Sequence, residues 1–228
     1  MTGVHTETIN YGDAQKLTGF LAIPEVKGPF PALVVIHEWW GLNEQIKAVA
    51  ADLARAGYAA LAVDLYRGKV TSTLEEARAL MTGLDPQRAV ADLNEAMRFL
   101  ASRQYVRKGR IGSVGWCMGG GYSLQLALSN PEVAATVIYY GHLVTDPKAV
   151  SKIPAPVIGF FGQDDQSPSP ADVKAFETVL KQAGKTVSVH VYPGAGHAFV
   201  NPTRTDAYRA GATSDAWAKM MEFLGNTL

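Results

Sequence analysis

Ile111-Gly-Ser-Val-Gly-Trp-Cys-Met-Gly-Gly-Gly-Tyr122 is the passage from which the rest of the chain can be read. Arg110–Val114 has the composition of a buried strand. Residues 118–129 carry a helical pattern that must end before Pro131, because the residue preceding a proline is pushed out of the α region. Between the two lies Gly115-Trp116-Cys117-Met118-Gly119, with a glycine two positions to either side of a nucleophilic side chain. A tight strand-to-helix turn holds such a residue in a strained conformation. Side chains two positions away would collide across the turn, so glycine is required there. The turn lifts the Cys117 sulfur above the strand ends and puts the Met118 N–H at a helix N-terminus, where negative charge on a thiolate or an oxyanion is favoured. The competing reading of a lone cysteine in a glycine-rich turn is a buried, inert residue; the strand–helix context favours the nucleophile. Nucleotide loops do not fit. G-x-G-x-x-G breaks at Val114, and Gly184-Lys185-Thr186 has Val179 where a phosphate loop needs its first glycine.

Outward from this turn, apolar β-branched runs alternate with helical patterns. Strands are expected at Ala32–Ile36, Tyr58–Val63, Val133–Tyr140, Pro156–Phe161 and Thr186–Tyr192. A helix over 43–56 has Asn43 as N-cap, Gly57 as stop, and Ile46, Val49, Ala50, Leu53 and Ala54 on one face. Asp85-Pro86 opens a second helix with a core stripe of Ala89, Val90, Leu93, Met97 and Leu100. Ser169-Pro170 opens a third that ends at Gly184, and residues 205–224 form a closing helix. Strand, helix, strand throughout implies parallel pairing with right-handed crossovers. Glu7–Asn10 and Leu17–Ile23, around Tyr11-Gly12-Asp13, read instead as a hairpin at the sheet edge. The expectation is therefore a single α/β domain over residues 1–228, with a mostly parallel sheet and helices on both faces. The poorly periodic segment 67–84 is a candidate mobile cap.

At 228 residues, 47% apolar and 18% charged, the chain has material for one large core. Lys+Arg and Asp+Glu are both 21, so net charge gives no reason to expect nucleic acid or an anionic membrane as partner. No apolar stretch is long enough to span a bilayer, and Met1–Glu7 lacks the basic and apolar regions of a secretory signal. One cysteine permits no internal disulfide, which suits a cytoplasmic protein.

In folds with such a turn, the acid and then the histidine follow the nucleophile, each just past a strand end. Gly162-Gln-Asp-Asp165 supplies two candidate acids, Asp164 and Asp165, and Pro193-Gly-Ala-Gly-His197 supplies the histidine. His190 falls within the last expected strand and reads as structural. His37-Glu38 would begin a zinc helix only with histidine where Gly41 stands, so no metal site is expected.

Ile36-His-Glu-Trp-Trp-Gly-Leu-Asn43, Val63-Asp-Leu-Tyr66, Gly115-Trp-Cys-Met-Gly-Gly120, Gly162-Gln-Asp-Asp165 and Ala195-Gly-His-Ala-Phe199 together resemble the dienelactone hydrolase (carboxymethylenebutenolidase) family. The resemblance spans nearly the whole chain and implies an α/β-hydrolase fold. It implies a Cys117–His197–Asp164 triad, with Asp164 at the family's G-x-D position. Glu38 would help convert the thiol to a thiolate, and the backbone N–H groups of Trp39 and Met118 would form the oxyanion hole. The expected reaction is hydrolysis of a small lactone or ester through an acyl-enzyme, with no cofactor, and a monomer suffices. A broad carboxylesterase or thioesterase is the nearest alternative. A catalytically silent binder would not need the full set of nucleophile, acid, base and glutamate. Phe199, Asn201, Arg78 and Arg204 are the candidate substrate contacts. The family's arginine after the catalytic histidine is replaced by Asn201, so uncharged esters are expected to compete well with carboxylated ones unless Arg78 or Arg204 compensates.

Overall fold

The computed structural model describes residues 3–12 and 16–228. Eight strands form one sheet: β1 (Val4–Tyr11), β2 (Leu17–Pro24), β3 (Phe30–Ile36), β4 (Ala59–Val63), β5 (Val106–Trp116), β6 (Thr136–Tyr139), β7 (Val157–Gly162) and β8 (Val187–Tyr192). Their order is β1-β2-β4-β3-β5-β6-β7-β8. From β4 to β8 every pairing is parallel. The hairpin β1–β2 lies at the edge, as expected, and joins β4 antiparallel. Asp13, at its expected turn, lies outside the described residues.

Helices cover both faces. α1 (Glu44–Arg55) and α7 (Ala210–Thr227) pack on one side. α3 (Pro86–Ala101), α4 (Met118–Ser129) and α6 (Pro170–Gln182) pack on the other. The central strands feed both cores by alternation: Ala32, Val34 and Ile36 point one way, Leu33 and Val35 the other, and all five are buried. The caps follow the side-chain chemistry. Asn43 accepts from the Ile46 N–H, Asp85 from the Gln87 and Arg88 N–H groups, and Ser169 with Asp172 closes a reciprocal box.

Several boundaries differ from the sequence reading: β1 begins at Val4 rather than Glu7, and β5 at Val106 rather than Arg110. The closing helix begins at Ala210 rather than 205, because residues 201–209 are spent on turns that carry Asn201 and Arg204. β6 begins at Thr136 rather than Val133, and a short helix, α5 (Pro147–Val150), follows it. Within 67–84 there is an ordered helix, α2 (Leu74–Thr82), capped by Thr73 and burying only Ala77. Among the described residues no helix is long and apolar enough to cross a membrane.

Chain order places the site. β4 lies on one side of β3 and β5 on the other, so the loops leaving β3 and β5 diverge. They leave a crevice at the carboxyl ends of these strands, where open α/β sheets bind ligands.

Candidate active site

Cys117 sits between β5 and α4 with φ 54 and ψ −118, a conformation that L residues rarely adopt. Such strain costs on the order of 1–3 kcal/mol and persists only where the surroundings enforce it. Here they do. A Cβ on Gly115 would lie 2.0 Å from the Gly119 oxygen, and one on Gly119 would lie 2.3 Å from the Ile36 oxygen. The turn is further pinned by Cys117 N–H donating to the Tyr139 oxygen at 3.0 Å, and by the buried Ser113–Ser123 hydroxyl pair at 2.8 Å linking β5 to α4. Four non-glycine residues among those described have positive φ. Three of them, Cys117, Tyr140 and Ala198, line one cavity of about 450 Å³. Strain concentrated in this way marks a functional site.

The loop after β8 carries His197 to that cavity, and the loop after β7 carries its carboxylate. That carboxylate belongs to Asp165. His197 Nδ1 lies 2.8 Å from Asp165 Oδ2, and Asp165 is 3% exposed. The other Asp165 oxygen accepts from the Ser167 N–H at 2.9 Å. Asp164 is exposed, and its N–H instead joins the two loops by donating to the Ala195 oxygen. The expected Asp164–His197 pairing is therefore replaced by Asp165–His197. Cys117 lines the same cavity as the ring. Burial works against charging His197, but the hydrogen bond to Asp165 and the neighbouring Cys117 and Asp165 outweigh it, and the ring is pushed up to about 10.

Glu38, just past β3, is buried against the cavity. Its Oε1 accepts from the Tyr140 hydroxyl at 3.1 Å and its Oε2 from Asn201 Nδ2 at 2.6 Å. Burial holds its carboxyl above the usual carboxylate range, against the opposing hydrogen bonds from Asn201 and Tyr140 and the positive His197 and Arg204. Trp39 and Met118 line the same cavity as Cys117. As the first residue of α4, Met118 has an N–H with no carbonyl partner inside the helix.

The four candidate substrate contacts separate. Arg204 lines the cavity and pairs with Asp206 at 3.2 Å. Arg78 is not on it: it borders a separate shallow depression along α2. Phe199 is fully buried, packed edge-on to Tyr140, so it supports the site from behind. Asn201 is buried and engaged by Glu38 and Thr203. Residues outside the candidate set also border the cavity, among them Met81 of α2, His142 after β6, and Gln166 and Ser167 after β7. The loop residues lie just past strand ends but outside the nucleophile–acid–histidine order, and nothing in the pattern of 67–84 singled out Met81. His190, in β8, stacks on Phe160 as a structural residue. Among the described residues no cluster of histidine, cysteine and carboxylate side chains is placed to hold a metal ion.

A family model described as the dienelactone hydrolase family matches residues 17–228. A protein of Methylorubrum extorquens named "Putative carboxymethylenebutenolidase" is 34% identical over 222 residues, covering 91% of this chain and 76% of its own length. One of Bradyrhizobium named "Probable 2-oxo-3-(5-oxofuran-2-ylidene)propanoate lactonase" is 34% identical over 218 residues, 90% of this chain and 87% of that one. The crystal structure of a "Putative Dienelactone Hydrolase" from Klebsiella pneumoniae superposes with a TM-score of 0.90 at 26% identity, covering 98% and 99% of the two chains. Sequence family and architecture agree along almost the whole length, and the chain belongs to the dienelactone hydrolase family as a hydrolase of the α/β fold.

Proposed function

We propose that the protein opens small lactones, or cleaves small esters, through a thioester formed on Cys117, with His197 as the proton carrier and Asp165 as its orienting carboxylate. The observation that carries this reading is that His197, held by Asp165, shares one cavity with the strained Cys117. The raised His197 favours an imidazolium facing a thiolate, the reactive form of cysteine. The thiolate adds to the carbonyl carbon, and the oxyanion is met by the N–H groups of Met118 and Trp39. Collapse breaks the C–O bond and forms the thioester. His197 gives its proton to the departing oxygen, which in a lactone stays tethered to the acyl chain. The now neutral ring takes a proton from water, the hydroxide adds to the thioester, and the acid leaves with the thiolate restored. Glu38, uncharged more readily than an ordinary carboxyl, is suited to exchange a proton with the thiol before attack. Lactones of the kind named for the Bradyrhizobium relative are the first substrates to try.

The test is a panel of such lactones and p-nitrophenyl esters against wild type and Cys117→Ala, with mass spectrometry of rapidly quenched enzyme. Turnover is expected to fall by about three orders of magnitude or more in the variant. A mass increase equal to the acyl group is expected on wild type alone. Near-native activity in Cys117→Ala would refute the proposal.

A further inference from the structure

His37 follows β3 directly and is wholly buried beneath the Tyr66 ring, whose centroid lies 5.0 Å away. The backbone N–H of Leu65 points at His37 Nε2 from 3.3 Å. A backbone N–H can only donate, so Nε2 must be the bare nitrogen and the proton of the neutral ring must be on Nδ1. That Nδ1 lies 2.5 Å from the carbonyl oxygen of Glu38, which it therefore serves as donor. The Gly41 N–H donates to the same oxygen at 3.3 Å. Burial pushes the His37 ring below its ordinary value, against its hydrogen bond to Glu38 and the charge of Asp64, which keeps the neutral tautomer in place.

The carbonyl of Glu38 and the N–H of Trp39 belong to one planar peptide unit and point in opposite directions. Two donors fixing the oxygen from one side therefore fix the direction of the N–H on the other. The Trp40–Gly41 peptide beyond it is held as well, because Thr71 N–H donates to the Trp40 oxygen at 3.0 Å. Donation to the carbonyl also polarises the peptide and strengthens its N–H as a donor.

We infer that His37 is a positioning residue for the reaction: its Nδ1–H clamps the Glu38–Trp39 peptide so that the Trp39 N–H faces the oxyanion formed at Cys117. This rests on the acyl-thioester reading above, and the assignment is distinct from the role of Glu38, whose side chain exchanges protons while its backbone carries the clamp.

The experiment compares His37→Asn, whose amide N–H can replace Nδ1–H, with His37→Gln, whose amide reaches instead toward Leu65. His37→Gln is expected to lower kcat about a hundred- to a thousandfold, the usual effect of losing one oxyanion donor. KM and the rate of Cys117 alkylation by iodoacetamide should stay within about threefold, because alkylation forms no oxyanion. His37→Asn is expected to recover most of kcat. Equal losses in the two variants, or an alkylation rate that falls in step with kcat, would overturn the assignment. Should neither variant fold, ring 15N spectra of the wild type decide: a protonated Nδ1 and bare Nε2 are expected across pH 6 to 9, and a protonated Nε2 would overturn it. Loss of the thioester in wild type would count against the catalytic reading itself, whereas normal acylation in His37→Gln counts only against this inference.

Discussion

Asp164 faces water, while one residue on, Asp165 is 3% exposed and holds His197 at 2.8 Å. Asn at 165 removes the charge that stabilises the imidazolium and leaves the ring free to take the wrong tautomer, so kcat/KM should fall about a hundredfold or more. Asn at 164 keeps the backbone bond to Ala195 and should cost less than about threefold, within the range of ordinary surface changes. Steady-state kinetics on the two variants checks this, and the reverse order would return the role to Asp164. Spacing alone located this carboxylate only to a pair of neighbours. Consecutive side chains in a turn point to different sides, and the one that turns inward is the one whose carboxylate also accepts from the Ser167 N–H, a bond seen only in the folded chain. Cys117 was legible because a glycine stands two residues to either side of it, and His197 because it follows the last strand in a glycine-rich loop. His37 was not, because from sequence it could be weighed only as half of a metal motif, and its two partners come from a neighbouring peptide and from a loop 28 residues away.

The elbow between β5 and α4 is the element that the sequence specified most tightly, and its tolerance can be measured. A methyl on Gly119 would meet backbone oxygens of Ile36 and His37 at 2.3 and 2.5 Å, atoms that cannot swing aside. Gly119→Ala should destabilise the fold by about 1–3 kcal/mol or more, lowering Tm by roughly 2–4 °C per kcal/mol for a chain of this size. Gly196→Ala, one residue from His197 but with open space around its Cβ, should melt within about 1 °C of wild type. Thermal melts followed by circular dichroism compare them; similar melting of both would mean that the elbow relaxes. Helices with clear caps, such as those begun by Asn43, Asp85 and Ser169, were legible within a residue or two. The start of α7 was not, because residues 205–209 have a helix-like composition. There, Arg209 donates from Nε to the Gly194 oxygen and so serves the histidine loop instead of a helical turn. α2 was hidden for the opposite reason: with only Ala77 buried, it has almost no apolar stripe to detect.

For the molecule as a whole, stability is a small difference between large terms, so one buried carboxyl is felt. The Glu38 carboxyl titrates above its ordinary 4.5, so the folded chain keeps this proton to higher pH than the unfolded chain does. Its contribution to stability is full below about 4.5 and is lost as pH rises through the folded value, leaving a buried charge as a cost at neutral pH. Glu38→Gln removes that cost. Its amide can turn oxygen toward Asn201 and nitrogen toward the Tyr140 hydroxyl, which can accept. The Tm of the variant should exceed that of wild type at pH 7 to 8, by an amount that shrinks toward zero as pH is lowered to about 4.5, while turnover falls. A difference that is negative or independent of pH would show that Glu38 is not held at such a cost. Parallel strands were legible from alternation, but strand order was not, since crossovers to either side of β3 read alike in sequence. The six parallel strands β4, β3, β5, β6, β7 and β8 all end on the same side, so the molecule has one reactive pole and one inert pole. The turn at Gly184-Lys185, which enters β8 from the inert side with open space around Gly184, is thus a natural anchorage. A chain tethered there to a bead or an electrode would stand with its cavity toward the solution, every copy facing the same way.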